Sequence, residues 1–295
     1  MSHYAHGHAE SVARAHARRT VANSAAHLAP HLRPGLSLLD LGSAGGALTR
    51  DLALRVAPGP VIGLDLAPNA VATAQADPSR PSNLSFQVGD IYALPFEAGS
   101  FDIVHLHQVL HHLERPAAAL RQAARVARPG GLVAVRETDF GAAFWFPPST
   151  AWEAWRESYQ LVARAGGTEF DAGRRLLNWL AEAGLPATTA PQTQAAPAPP
   201  QARLGAGSGA DGAVHREPEV LISGSLWTYP GFAPAAEIAA SWADRISQGH
   251  FPALAAEHAV ATKTDLIATA KGLIEWARHP AAFFAMPHIE ALIRL

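Results

Sequence analysis

The stretch Leu38-Leu39-Asp40-Leu41-Gly42-Ser43-Ala44-Gly45-Gly46-Ala47-Leu48-Thr49 constrains this chain more than any other. An apolar run ends in an acid, a glycine-rich turn follows, and a helical pattern runs from Leu48 to Val56. That order reads as a strand, a tight turn and a helix N-terminus. Glycine takes φ > 0 readily and lets a ligand approach the backbone. The first N–H groups of a helix lack partners within it, so they receive polar or anionic ligand groups. Nucleotide-type cofactors bind at such turns in open α/β sheets. The turn alone is a weak signal, because ligand-free βα turns can look the same.

Two cofactors compete for it. A dinucleotide turn follows G-x-G-x-x-G/A, and its second glycine lets the backbone approach a pyrophosphate. Here that position is Ala44, whose methyl group would crowd the phosphates. S-adenosylmethionine (SAM) carries no pyrophosphate, so Ala44 damages that reading less.

The chain downstream repeats the strand–helix pattern. Val61–Asp65 forms a second strand that also ends in an acid, and Asp65 can accept both ribose hydroxyls of an adenosine. Its plainer role is to cap the helix predicted over 68–76, where Pro68 suits a first helical position. Asn83–Val88 is a third strand. Asp90 after it can bond an adenine amine while Ile91 packs on the ring; an ordinary Asx turn is the alternative. Residues 100–107 make a buried fourth strand, 116–127 a helix, Arg128–Gly131 a sharp turn, and Leu132–Arg136 a fifth strand. Strands alternating with helices imply a parallel, doubly wound α/β sheet with ligands at the strands' carboxyl ends. Gly42, Asp65, Asp90, His107 and Glu137 all fall on that edge.

Composition narrows the partners. The 295 residues are 48% hydrophobic, enough for one large core with a cap. The net charge of −2 shows no basic excess for nucleic acid. With no cysteine there is no disulfide frame and no thiolate metal site. No apolar run reaches the roughly 18 residues of a membrane span, and no h-region opens the chain. A cytoplasmic protein is expected, with its oligomeric state open. His3, His6 and His8 are read as an exposed His-rich end, and no metal site is assigned. Residues 8–32 carry a loose helical pattern, and Tyr4 could fold over the cofactor.

With these residues in hand, the chain resembles the class I SAM-dependent methyltransferases. Within them it is similar to the methyltransferase type 11 branch, which includes ubiquinone/menaquinone-biosynthesis methyltransferases. The matching segments are Leu39–Gly46, Gly63-Leu64-Asp65, Gly89-Asp90-Ile91, Leu94-Pro95-Phe96, Ser100–Val104, Val109-Leu110-His111-His112-Leu113 and Arg128–Leu132. They cover about residues 36–138 in the family's order; Ser43-Ala44-Gly45 departs from its usual Cys-Gly-Pro. The resemblance implies a Rossmann-like sheet of seven strands with the last antiparallel, N-terminal helices, and a helical cap between strands 6 and 7. It implies SAM as cofactor and S-adenosyl-L-homocysteine as product. Asp40, Gly42, Ser43 and Gly46 would line the methionine portion, Asp65 the ribose, and Leu66, Asp90 and Ile91 the adenine. His107 would lie beside the transferring methyl group.

The remaining chain divides by composition. Residues 1–35 form an N-terminal helical segment and 36–185 the cofactor-binding core. Residues 186–218 are a low-complexity insertion rich in Pro, Ala and Gly, and 219–295 complete the domain. Strands are expected at 219–229 and 283–289. Helices are expected at 174–183, 234–248 and 253–278, the last capped at Thr264-Asp265. The aromatic residues of 140–180, Trp145 among them, are either helix packing or a wall for an apolar or aromatic acceptor. His107 is the candidate general base, with His111 and Glu137 beside the substrate. The function expected is methyl transfer from SAM to a small acceptor. A SAM-binding regulatory protein of the same fold is the alternative, and an NAD(P) oxidoreductase a more distant one.

Overall fold

The computed structural model describes residues 16–185 and 219–295. In chain order the helices and strands are α1 (Val21–Ser24), β1 (Leu38–Leu41), α2 (Ala47–Val56), β2 (Val61–Asp65), α3 (Pro68–Gln75), β3 (Leu84–Val88) and β4 (Phe101–His107). Then come α4 (Pro116–Val126), β5 (Ala127–Thr138), β6 (Phe144–Phe146), α5 (Thr150–Ala165) and α6 (Ala172–Glu182). After the segment that is not described come β7 (Glu219–Pro230), α7 (Phe232–Ser247), α8 (Phe251–Glu257), α9 (Lys263–Trp276) and β8 (Phe283–Arg294). One sheet has the order β3-β2-β1-β4-β5-β8-β6, with β7 paired to β8. β1 to β5 are mutually parallel, and β8 runs antiparallel to β5, β6 and β7.

The two-residue period of the strands builds two different faces. Leu39, Leu41, Val104, Leu106, Val133 and Val135 point to one face, where Leu120 and Ala123 of α4 and Leu176 and Leu180 of α6 cover them. Leu38, Ile103, Leu132 and Ala134 point to the other, against Leu48, Leu52 and Val56 of α2. Toward the carboxyl ends this second face turns polar. Asp40, His105, His107 and Arg136, with His288 and Glu290 of β8, continue the same alternation and are all buried. The sequence period therefore lays a polar stripe inside the fold where the functional edge begins.

A separate aromatic core forms the cap. Trp152, Trp155 and Tyr159 of α5 pack with Trp242 of α7, Phe251 of α8, Trp276 of α9 and Phe284 of β8. The rings meet edge to face at Trp155–Trp242 and Trp152–Trp276, with centroids 4.8 and 5.4 Å apart, the arrangement that aromatic quadrupoles favour.

Four expectations need correction. The sheet has eight strands, the extra one being β6, which pairs Phe144–Phe146 with Phe283–Ala285. Arg128–Gly131 is not a free turn but an irregularity inside β5, since Phe101 pairs Ala127 and Ile103 pairs Leu132. The 253–278 pattern breaks into α8 and α9, and the cap is Thr262, whose hydroxyl and N–H exchange bonds with Asp265. Among described residues, the 8–32 pattern breaks into helical residues 16–17, the turn α1 and a 3₁₀ turn at Ala29–His31. Pro30, which lacks an N–H, favours such short pieces.

Candidate functional site

The strand order reverses between β1 and β4, and a cavity of about 1850 Å³ opens outside the carboxyl ends there. A drug-sized ligand fills on the order of 300–1,000 Å³, so the space suits two molecules side by side. The ends of β1, β2 and β3 contribute Gly42, Ala44, Gly45, Asp65, Asp90 and Ile91. The ends of β4 and β5, with β7 and α7, contribute His107, Gln108, Arg136, Trp227 and Trp242.

The glycine turn is stapled to β2. Gly42 and Ser43 donate to the Leu64 carbonyl at 2.7 and 3.1 Å. The Asp65 carboxylate accepts from Ala44 N–H at 2.8 Å and from Ala67 N–H at 2.9 Å. It thus braces the turn and the start of α3 together, and two of a carboxylate's roughly four acceptor sites remain toward the cavity. Leu66 is exposed at the rim. Asp90 is exposed and accepts from Tyr92 N–H at 2.8 Å, the Asx turn, while Ile91 is buried beside it. Asp40 lies beneath the turn, and its oxygens are taken by Thr49 Oγ1 at 2.6 Å and His105 Nδ1 at 2.7 Å. Asp40, Gly42, Ser43 and Gly46 share a small cleft with His107.

His107 closes β4. Its Nε2 accepts from Arg136 at 3.0 Å, so the ring hydrogen lies on Nδ1, which is buried without a hydrogen-bond partner. Burial comes first in holding this imidazole well below the usual histidine range, and the Arg19 and Arg136 charges add to it. His107 is therefore neutral, with its one lone pair directed at a cation. A general base needs that lone pair.

His111 is built differently. Its Nδ1 donates to Glu137 Oε2 at 2.8 Å, which directs the Nε2 lone pair elsewhere. Glu137 is fully buried and its Oε1 accepts from the N–H groups of Val109 and Leu110 at 2.8 and 2.7 Å. Glu137 thus orients a cavity-lining histidine without lining the cavity itself. Trp145 is not among the described lining residues; it stacks near Trp152 and Phe284. From the same aromatic-rich region Phe140 does face the cavity. Tyr4 lies outside the described residues.

The sequence reading missed Arg19, Gln108, Trp227, Tyr229 and Trp242, all of which line the cavity. Gln108 had a signal: a polar residue directly after a buried strand. It takes φ 54°, in the left-handed region, and its amide bonds Thr138 Oγ1, His288 and Arg19. Strained backbone of this kind concentrates at functional sites. Arg19 and Trp242 carry no local signal, because only tertiary packing brings them to the strand ends.

Comparison with known proteins bears on this geometry. A family model described as a methyltransferase domain matches residues 39–135. An uncharacterized methyltransferase of Schizosaccharomyces pombe is 34% identical over 189 residues, covering 61% of this chain and 68% of that protein. The chain belongs to the class I SAM-dependent methyltransferases. Its cofactor is S-adenosyl-L-methionine. A demethylmenaquinone methyltransferase of Lactococcus lactis is 41% identical over 107 residues, 35% of this chain and 42% of that one. The chain thus spans less than half of that relative. YcgJ of Bacillus subtilis, 17% identical, superposes with a TM-score of 0.51 over 91% of this methyltransferase and 98% of its own chain, a likeness of fold.

The residues present fit SAM. Asp65 retains acceptor capacity suited to vicinal hydroxyls, and Ser43 Oγ is buried without a partner. A Cβ placed on Gly45 would meet nothing within 4 Å, so the turn is open on that side. Among described residues no helix is long and apolar enough to cross a membrane.

Proposed function

We propose that this methyltransferase transfers the methyl group of SAM to a small, apolar or aromatic metabolite by in-line displacement. The observation that carries the reading is the two-part cavity: one continuous space runs from Asp65 and Asp90 to Phe140, Trp227 and Trp242. Asp65 holds the ribose, with Leu66, Asp90 and Ile91 around the adenine. Gly42, Ser43 and Gly46 take the methionine portion, and Asp40 acts from beneath them by holding Thr49 of α2 and His105 of β4. SAM supplies an already activated methyl group, so the protein's task is to align the acceptor and exclude water. The buried His107 Nδ1–H donates to the bound molecules. Where the acceptor must lose a proton, His111 takes it, positioned by Glu137 as in other oriented histidines. The names of the relatives support the acceptor class, since they include a demethylmenaquinone methyltransferase and a ubiquinone-biosynthesis O-methyltransferase.

The test is an acceptor screen. Purified protein, SAM and a panel of hydroxylated aromatic compounds are incubated, and S-adenosylhomocysteine is followed with the mass of the acceptor. Product carrying one added methyl is the expected result. SAM binding without turnover on any acceptor would favour the regulatory reading.

A further inference from the structure

Arg136 of β5 is 2% exposed and is held from three other strands. Its Nε donates to Glu290 of β8 at 3.0 Å, one terminal nitrogen donates to Ser225 of β7 at 3.1 Å, and the other donates to His107 Nε2 of β4 at 3.0 Å. Glu290 also accepts from Ser225 at 2.6 Å and from Ser223 at 3.0 Å. The Trp227 ring centre lies 4.9 Å from the guanidinium carbon, and Trp227 is itself tied by its Nε1–H to the Asn23 carbonyl at 2.6 Å. The guanidinium is thereby fixed in one orientation. Stability is a weak reason for such an arrangement, because apolar residues of similar volume often serve as well as a buried ion pair.

The contact that apolar residues could not supply is the one to His107. A guanidinium has no lone pair, so His107 Nε2 is the acceptor and the ring hydrogen sits on Nδ1; the partner of one imidazole nitrogen decides the state of the other. The hydrogen so placed has no partner among the described residues. His107 Nδ1 is buried and unbonded, and so is Ser43 Oγ. Both residues line a cleft of about 20 Å³ beside the glycine turn, together with Asp40, Gly42 and Gly46. That is room for one small polar group, a water or a single oxygen. Buried polar atoms are nearly always hydrogen-bonded, so the cleft calls for an oxygen that accepts. Within the methionine portion of SAM the ammonium and sulfonium are cations with no lone pair for a donor, whereas the α-carboxylate only accepts, and a bond to an anion is stronger than one between neutral groups.

We propose that His107 donates its Nδ1–H to the α-carboxylate of SAM, beside the Ser43 hydroxyl, and that Arg136 and Glu290 are positioning residues that lock His107 in the tautomer able to do so. This rests on the methyltransferase reading of the cavity. The ion pair between β5 and β8 then acts on the cofactor through the end of β4, without touching it.

Two readouts test it. In nitrogen-15 ring correlation spectra of the ligand-free protein, with His107 assigned by its loss in His107→Phe, the hydrogen should sit on Nδ1. In the double variant Arg136→Met with Glu290→Leu it should move to Nε2 in a measurable share of molecules. Calorimetric titration then compares S-adenosylhomocysteine with 5′-methylthioadenosine, the same adenosine thioether without the amino-acid end. His107→Phe and the double variant should each weaken S-adenosylhomocysteine by about tenfold. Both should keep 5′-methylthioadenosine affinity within about twofold, which also shows that they fold. If the double variant fails to bind 5′-methylthioadenosine, Arg136→Lys replaces it in both readouts with the same results expected, since one compact ammonium cannot hold Glu290 and His107 together as the planar fork does. A hydrogen on Nε2 in the wild-type protein, a tautomer unchanged in the variants, S-adenosylhomocysteine affinity unchanged, or both ligands weakened alike in His107→Phe would overturn the proposal. Failure of the wild-type protein to bind either adenosyl ligand would instead overturn the cofactor reading, and this inference with it.

Discussion

Ala44 occupies a position whose backbone, at φ 46°, favours glycine. A left-handed conformation costs an L-residue about 1–2 kcal/mol, partly offset because glycine gives the unfolded chain more freedom to lose. Ala44→Gly should therefore stabilise the protein by about 0.5–1 kcal/mol in urea unfolding; a loss of stability would mean that the methyl group packs usefully. His111 carries a second prediction. Its Nδ1–H is fixed on Glu137, so His111→Gln should lower turnover by about a hundredfold or more with little change in S-adenosylhomocysteine affinity. Equal loss in both would make His111 a structural residue. The cofactor-side residues were legible because each lies just after a strand: Asp65 and Asp90 mark themselves by chain position. The tautomer of His107 was not legible, because it is set by Arg136, 29 positions away in the chain.

At the scale of elements, β5, β7 and β8 are joined beneath the cavity by the buried Arg136 and Glu290 and the half-buried Ser225. Removing one charge of a buried pair leaves the other uncompensated, typically at about 3–5 kcal/mol, whereas replacing both by apolar groups is often near neutral. Glu290→Leu should destabilise by that amount, and Arg136→Met added to it should restore most of the loss, as read from denaturant midpoints. Two single losses that simply add would show the groups to be independent. The strand–helix alternation was legible because the strands are apolar runs bounded by turns. The split between α8 and α9 was not, because residues 258–262 keep enough alanine and valine to disguise the break. β6 escaped because three residues cannot show a period; its partner Phe283–Ala285 comes from the far end of the chain.

For the whole molecule, the buried polar stripe predicts how stability follows pH. Burial lowers His27 from 6.5 to about 4, against the opposing pull of Glu290. Between those values the unfolded chain binds a proton that the folded chain does not. This contribution is complete above about 6.5 and is lost as pH falls toward about 4. His16, His107 and His288 act with the same sign. The urea midpoint should fall on going from about pH 7 to about pH 5, and His27→Phe should flatten part of that slope; a midpoint independent of pH there would contradict neutral burial. The overall topology could be read in advance because parallel strands need long crossovers. The cap's place over the strand ends needed the tertiary fold, since α7 to α9 lie more than 90 residues beyond β5. The most direct measurement is calorimetric titration with S-adenosylhomocysteine, SAM and NAD, on the protein and on Asp65→Ala. The adenosyl ligands should bind with a Kd on the order of 1 μM, about −8 kcal/mol, and Asp65→Ala should weaken them by roughly tenfold to a hundredfold. NAD binding in their place, or adenosyl binding unchanged in Asp65→Ala, would contradict the cofactor site described at the end of β2.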